Sequence, residues 1–308
     1  MSSVQDRRIL YFFEAVRLGS VRAAADYLDV APSAVSRQIA QLEHELATSL
    51  LERHRRGVKP TEAGERVLSY YRQHLTQQEL LLDALQALRG LQGGAVSLAI
   101  GEGFIEALAV HLNQFSALYP QVELQVNVCG TNEVIRQVLD DEVHLGLVFN
   151  PPGEPKLRSH AHQRQPVRVV VNPQHPLTRI AGAVPLLGLD QYRLALPGVA
   201  YGVRQILGQA EHRAGLSLAP TLTCNTLNML KLYAAQGGVT LLPTFMVEQD
   251  VRLGTLASLP LQDPVFATPQ THLVSRLGRQ LSVAASRLLA LLLQDMPAFK
   301  GEPLSVRS

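Results

Sequence analysis

The chain is 308 residues long, 46% hydrophobic and 18% charged, with a net charge of +2. That length allows two or three domains, each with its own core, and the small net charge excludes a globally basic nucleic-acid coat. Any contact with DNA must therefore rest on local placement: the first 61 residues hold nine Lys/Arg against seven Asp/Glu, and five of the nine fall at or after Arg37. Cys129 and Cys224 have no CxxC partner, which argues against a disulfide framework or a zinc site and fits two core cysteines in a reducing compartment. The start MSSVQDRRILYFF lacks the apolar run of a signal peptide. No stretch reaches the roughly 18 apolar residues of a membrane span. A cytoplasmic protein without a membrane partner is expected.

Ile9, Phe12, Phe13 and Val16 recur at helical spacing and predict a first core helix over 7–18. Gly19 stops it, and Ser20 is placed to cap a second helix, Val21–Leu28. A short turn, Asp29–Ala31, leads to a third helix from Pro32 to Leu46, with proline where its missing N–H costs nothing. Val35, Ile39, Leu42 and Leu46 form one buried stripe. Ser33, Ser36, Arg37, Ala40 and Gln41 on the other face are short or hydrogen-bonding, as a helix entering the major groove requires. Periodicity alone favours an ordinary amphipathic surface helix. The order helix, tight turn, helix turns the reading toward a helix-turn-helix. Arg53, His54, Arg55, Arg56 and Lys59 then crowd around Gly57. Taken alone, that run is a solvated loop or a hairpin wing against phosphates; beside a helix-turn-helix the wing is the better reading.

Three segments, FFEAVRLGSVRAAADYL, APSAVSRQIAQLEHEL and LLERHRRGVKPTEAG, carry a resemblance to the LysR-type transcriptional regulators that runs without a gap over about residues 4–64. The resemblance implies a winged helix-turn-helix over 4–61 that binds double-stranded DNA. The residues expected at the DNA are Arg22, Ser33, Ala34, Ser36, Arg37, Gln41, Arg53, Arg55, Arg56 and Lys59. The chain departs from the family at Ala31 and Pro32, where Ser or Thr followed by Gln is common, so base readout shifts toward Ser33, Ser36 and Arg37. Leu51 stands where Phe is usual.

Thr61 can cap a long helix from Glu62. Positions 68, 71, 75, 78, 82, 85 and 89 are Leu, Tyr, Leu, Gln, Leu, Leu and Arg, a spacing that suits a two-stranded seam or packing on the helix's own domain. The resemblance implies the former: a linker helix, 62–90, that pairs subunits into a homodimer and on to a homotetramer, with RNA polymerase as a partner if transcription is activated.

Gly90, Gly93 and Gly94 mark a boundary, after which strand and helix alternate. Ala95–Ile100, Val122–Val128 and Leu145–Phe149 read as strands around helices Phe104–Leu118 and Thr131–Asp140, a pattern that implies a parallel sheet. Asn150–Pro155, rich in Pro and Gly, suits a crossing between lobes. Val167–Val171, LALPG, TLTCN and GVTLLP continue the theme with helices about Val203–Ala214 and Leu227–Gln236. A strand near Thr271–Ser275 and a helix Leu281–Leu293 close it. Overall this is an α/β chain. QHPL (Gln174–Leu177) and GGVTLLP (Gly237–Pro243) extend the resemblance over 95–295. It implies a periplasmic-binding-protein-like effector domain, 94–300, with lobe I at about 94–161 and 266–300 and lobe II at about 162–265.

Ligands of open α/β sheets lie beyond the carboxyl ends of the strands, beside helix N-termini. That rule selects Gly101, Glu102, Gly103 and Phe104; Thr131 and Asn132; Phe149 and Asn150; Gly198, Tyr201 and Gly202; and Asn225 and Thr226. Backbone amides there favour a carboxylate or another small polar acceptor. Glu102, if it faces the cleft, favours an amine or hydroxyl; otherwise it points to solvent. Glu43, Glu45, Asp140 and Asp141 read as solvated faces. His111, His144, His160 and His162 show no metal-ligand spacing, and no GxSxG, P-loop or HExxH occurs. Neither catalysis nor a cofactor is expected, only a small-molecule effector. The rival readings are a regulator that needs no ligand, or a solute-binding protein or enzyme on the two-lobed fold, which leaves residues 1–90 unexplained.

Overall fold

The computed structural model describes residues 3–54, 57–88 and 93–299. The chain divides into two compact units between Leu82 and Asp83.

The first unit begins with helices α1 (Ser3–Arg17), α2 (Val21–Tyr27) and α3 (Pro32–Glu45). A hairpin of β1 (Leu51–His54) and β2 (Gly57–Pro60) follows, then α4 (Glu62–Leu88). Ser20 caps α2 through the Ala23 N–H. Phe12, Ala24, Ala25, Val35, Ile39 and Leu50 are wholly buried in a common core; each large side chain of this kind contributes about 1.5–3 kcal/mol. The expected stripe on α3 stops at Leu42. Leu46 is exposed, because it is the C-cap and the chain turns away through Ala47 at φ +51°.

Glu43 is not a solvated residue. Its carboxylate accepts the Leu50 and Leu51 N–H groups at 2.7 and 3.1 Å and so fastens the end of α3 to the start of the hairpin. Thr61 accepts the Gly64 N–H at 3.0 Å, capping α4, and donates to the Ser49 carbonyl at 2.7 Å. Gly57 sits at φ +129° against the turn after α1, where a Cβ would stand 2.1 Å from the Gly19 carbonyl oxygen. Glycine there serves close packing as well as the turn. On α4, Leu68 and Tyr71 belong to this unit's own core, with the Tyr71 ring 5.2 Å from that of Phe13. The expected seam therefore does not start at these two positions. Leu75, Leu82 and Leu85 are exposed, and Arg89 lies outside the described residues.

The second unit holds β3 (Gly94–Ile100), α5 (Ile105–Leu118), β4 (Val122–Val128), α6 (Thr131–Leu139), β5 (Leu145–Phe149), β6 (Leu157–Arg164), β7 (Val167–Val171) and β8 (Leu194–Pro197). It continues with α7 (Gly202–Ala214), β9 (Leu222–Cys224), α8 (Leu227–Ala235), β10 (Val239–Pro243), α9 (Glu248–Arg252), β11 (Ala257–Leu259), β12 (Gln270–Arg276) and α10 (Val283–Asp295). Two five-stranded sheets result, in the orders β4-β3-β5-β12-β6 and β11-β7-β10-β8-β9. Both are mixed rather than parallel. The βαβ repeats give parallel pairs, but β12 runs antiparallel to β5 and β6, and β7 antiparallel to β10 and β11. Leu108, His111 and Phe115 form the buried face of α5, while Ile105 at its start is exposed.

The lobes cross where β6 passes into β7 and where the chain returns to β12. There the Gln165 N–H donates to the Pro269 carbonyl at 2.8 Å. Asn150–Pro155 is a connection inside the first lobe, since β5 before it and β6 after it share one sheet. β6 also carries that lobe past the expected boundary at 161. Asp140 and Asp141 are paired: Arg136 binds Asp140 at 3.0 Å, and Arg276 and Arg279 enclose a nearly buried Asp141 at 2.8 and 3.3 Å.

Candidate functional site

In the first unit the side chains left over from the core define one face. Ser33, Arg37 and Gln41 follow at i, i+4 and i+8 on α3 and are exposed, opposite Val35, Ile39 and Leu42. Ala34 and Ser36 are half-buried at the edges of that stripe, and Arg22 is exposed on α2. Ala31, in the capping position, offers no acceptor to the first turn. Gln41 already donates to Glu45 at 3.4 Å, and Glu45 is ion-paired with Arg8. The Arg8 hydrogen bond, then that from Gln41, holds the Glu45 carboxyl below the usual range. In the hairpin Arg53 is exposed, whereas Lys59 stands directly opposite Glu52, which offsets part of its charge. Arg55 and Arg56 lie outside the described residues.

In the second unit a small cavity lies between the lobes, at the carboxyl ends of the strands. Its walls take in the starts of four helical segments: Gly101 to Phe104 before α5, Thr131 of α6, Tyr201 and Gly202 at α7, and Leu227 of α8. Phe149 also lines it. Asn132, Asn150, Gly198, Asn225 and Thr226 do not, although the Asn225 carbonyl accepts a hydrogen bond from the Tyr201 hydroxyl. Topological reasoning missed Cys129, Val203, Leu227, Pro243, Phe245 and Met246. The last three lie at or past the end of β10, and the same strand-end rule applied to GVTLLP would have reached them. Phe104 and Phe245 pack with ring centroids 5.0 Å apart, and Phe149 and Phe245 at 6.2 Å. These rings leave a volume of about 30 Å³, room for a water molecule or two.

Glu102 faces this cleft. Its carboxylate accepts the Leu227 N–H at 2.6 Å and the Asn228 N–H at 3.0 Å, so a side chain of the first lobe caps a helix of the second. One turn on, Lys231 binds Glu106 of α5 at 3.0 Å and Asp250 of α9 at 3.1 Å. Burial opposes the Lys231 charge, but the two carboxylates outweigh it and its pKa is raised. Gly202 meets the first lobe closely: a Cβ there would lie 2.7 Å from the Phe149 carbonyl oxygen. Burial, then the Glu102 charge, raises the pKa of Tyr201. Burial, then Glu133, pushes the Cys129 thiol up to about 11, so it is a poor thiolate. Both cysteines are half-buried rather than core residues.

A helix-turn-helix with a basic hairpin, joined to a two-lobed α/β domain with a cleft at its strand ends, is the architecture of a DNA-binding regulator with a ligand-binding domain. Residues 7–65 match the family described as "Bacterial regulatory helix-turn-helix protein, lysR family", and residues 89–297 match "LysR substrate binding domain". The chain belongs to the LysR family of transcriptional regulators. It is a DNA-binding transcriptional regulator and not an enzyme. Among its relatives is the SDS degradation transcriptional activation protein of Pseudomonas sp. (strain ATCC 19151), 29% identical over 295 residues, covering 94% of this chain and 95% of that one. A full-length OxyR variant from Pseudomonas aeruginosa shares its fold with a TM-score of 0.65 at 19% identity, over 98% of this chain and 99% of that one. Full-length CbnR complexed with its target DNA gives a TM-score of 0.50 at 20% identity, over 96% and 99%. Among the described residues no helix is long and apolar enough to cross a membrane.

Proposed function

We propose that this regulator binds an operator as a homodimer, with Ser33 and Arg37 of α3 at base edges and Arg22, Arg53, Arg55, Arg56 and Lys59 on phosphates. The exposed stripe opposite the α3 core carries this reading, and CbnR, whose solved complex includes target DNA, lends it support. Leu75, Leu82 and Leu85 on α4 supply the seam between subunits. We place the effector in the interlobe cleft, where four helical segments begin around one cavity. That cavity is far below the roughly 300–1,000 Å³ of ordinary ligand pockets. The effector therefore selects a more open arrangement of the lobes, and the change in spacing between paired subunits alters how the DNA is bent.

The test has two arms. A gel shift with DNA flanking the protein's own gene should show binding at a salt concentration where random DNA is released. Equal affinity for both would defeat operator recognition. A metabolite screen by thermal melting should find a ligand that raises the midpoint. The closed cleft also favours a second reading, a regulator that works without any ligand. Specific DNA binding with no stabilising metabolite would decide for it.

A further inference from the structure

The start of α8 is capped from outside its own chain segment. Thr226 occupies the capping position, and a threonine there ordinarily accepts a first-turn amide. Here its side chain makes no such bond. The Glu102 carboxylate takes the Leu227 and Asn228 amides instead, one on each oxygen. The two bonds are charge-assisted and placed where the helix dipole favours an anion. They span the cleft, because Glu102 precedes α5 in one lobe and α8 lies in the other. The next turn repeats the contact, with Glu106 bound to Lys231. Beside these contacts the cavity is lined by Phe104, Phe245, Met246 and Leu227 and has space for a water or two.

We propose that Glu102 is the specificity-determining residue of the cleft: its carboxylate stands where an acidic effector group would bind, holds the lobes together, and turns carboxylates away. The inference rests on reading the cleft as the effector site. A free carboxylate approaching the start of α8 meets amides already occupied and a fixed negative charge. The ligand class left is neutral or cationic and mainly apolar. An amine or hydroxyl bound at Glu102 would release the α8 amides and loosen the lobes, which couples binding to opening.

Hydrogen exchange at the Leu227 and Asn228 amides of the full-length chain tests this directly. In Glu102→Ala the two amides should exchange about tenfold faster than in the wild type, the loss expected for a charge-assisted bond. Sodium formate should restore their protection in a saturable way. Formamide, similar in size but uncharged, and sodium chloride at matched ionic strength should not. Wild-type protein should respond to none of the three. If Glu102→Ala does not fold, Glu102→Gln carries the test, because it keeps the shape, loses the charge and should exchange several-fold faster at the same amides. Unchanged exchange in both variants would overturn the proposal. So would a formate response as large in the wild type as in Glu102→Ala, or Glu102→Ala amides that formate leaves unprotected. The amide readout uses neither DNA nor effector. A metabolite screen without a hit would defeat the effector reading and with it the specificity role, leaving only the Glu102 clamp on the α8 amides, whereas failure of the amide test would leave the effector reading standing with a cleft open to acids.

Discussion

The two units dispose of their polar groups in opposite ways. In the N-terminal unit three acids of α3 and the hairpin are matched within the unit: Glu43 by hairpin amides, Glu45 by Arg8, and Glu52 opposite Lys59. The face around Ser33 and Arg37 is thus spared these charges and ready for a polyanion. In the cleft the donors are absorbed. The α8 amides go to Glu102, Lys231 goes to Glu106 and Asp250, and aromatic rings fill the space. A surface site is made by what the core leaves over. A site between lobes is made by two halves that satisfy one another until something separates them.

The contrast is sharpest where each region is disrupted at its own weak point. The largest effect should come from Leu82→Asp with Leu85→Asp, which puts charge on the exposed α4 stripe without touching the α1–α3 core. Sedimentation should show monomers, and operator affinity should fall by roughly two to four orders of magnitude as the second half-site becomes independent. A dimer that survives both changes would move the seam elsewhere. Next comes Gly202→Ala. Its Cβ, 2.7 Å from the Phe149 carbonyl, must push the lobes apart, at a cost of about 1–3 kcal/mol. The melting temperature should drop while DNA binding by the N-terminal unit stays intact. Undiminished stability would mean the lobes yield freely where Gly202 meets Phe149.

The difference in legibility between the units has the same origin. Ile9, Phe12, Val35, Ile39 and Leu42 lie on single faces at helical spacing, so the N-terminal helices and their caps could be read off directly. What escaped was tertiary: Leu46 leaving the stripe at a C-cap, and Glu43 reaching hairpin amides seven and eight residues on. In the second unit the buried runs such as LGLVF and GVTLLP announced strands. The edge strands did not. LRSHAHQR of β6 is polar because one edge of it is unpaired and half its side chains face solvent. The reversed directions of β7 and β12 depend on where the chain crosses, which no local pattern encodes. In the cleft, helix N-termini selected by topology brought Glu102, Thr131, Tyr201 and Gly202 to one place. Phe245 and Met246 enter from just beyond β10, where the same strand-end rule applied to GVTLLP would have found them.

Arg37→Ala tests the surface region on a finer scale. Removing one base-edge interaction should weaken operator binding by about 1–3 kcal/mol, about 5- to 150-fold, and relax preference at one base position in footprinting. Arg55→Ala with Arg56→Ala should act differently. If these side chains touch phosphate, affinity falls alike on all sequences, and the slope of log affinity against log salt becomes shallower by about 0.9 for each phosphate no longer neutralised. A slope that does not move takes the hairpin tip off the backbone, and the readout stays with α3 alone.

The smallest effect concerns a half-buried feature of neither site. His162 and His272 pair across β6 and β12 with rings stacked 5.7 Å apart, and Ser159 bonds His272 Nδ1 at 3.0 Å. Burial, then the neighbouring His162, lowers the His272 pKa below the ordinary 6.5; burial, then Arg158, lowers that of His160. Folding therefore favours the neutral rings, and the unfolded chain takes up protons first as pH falls. The stability this provides is complete above pH 6.5 and is lost as pH drops through the lowered folded values. Melting temperature should decline from pH 7.5 to 5 by more in the wild type than in His272→Gln, with a difference on the order of 1–2 °C. Parallel curves for the two proteins would mean that His272 contributes nothing to the acid sensitivity of the second unit.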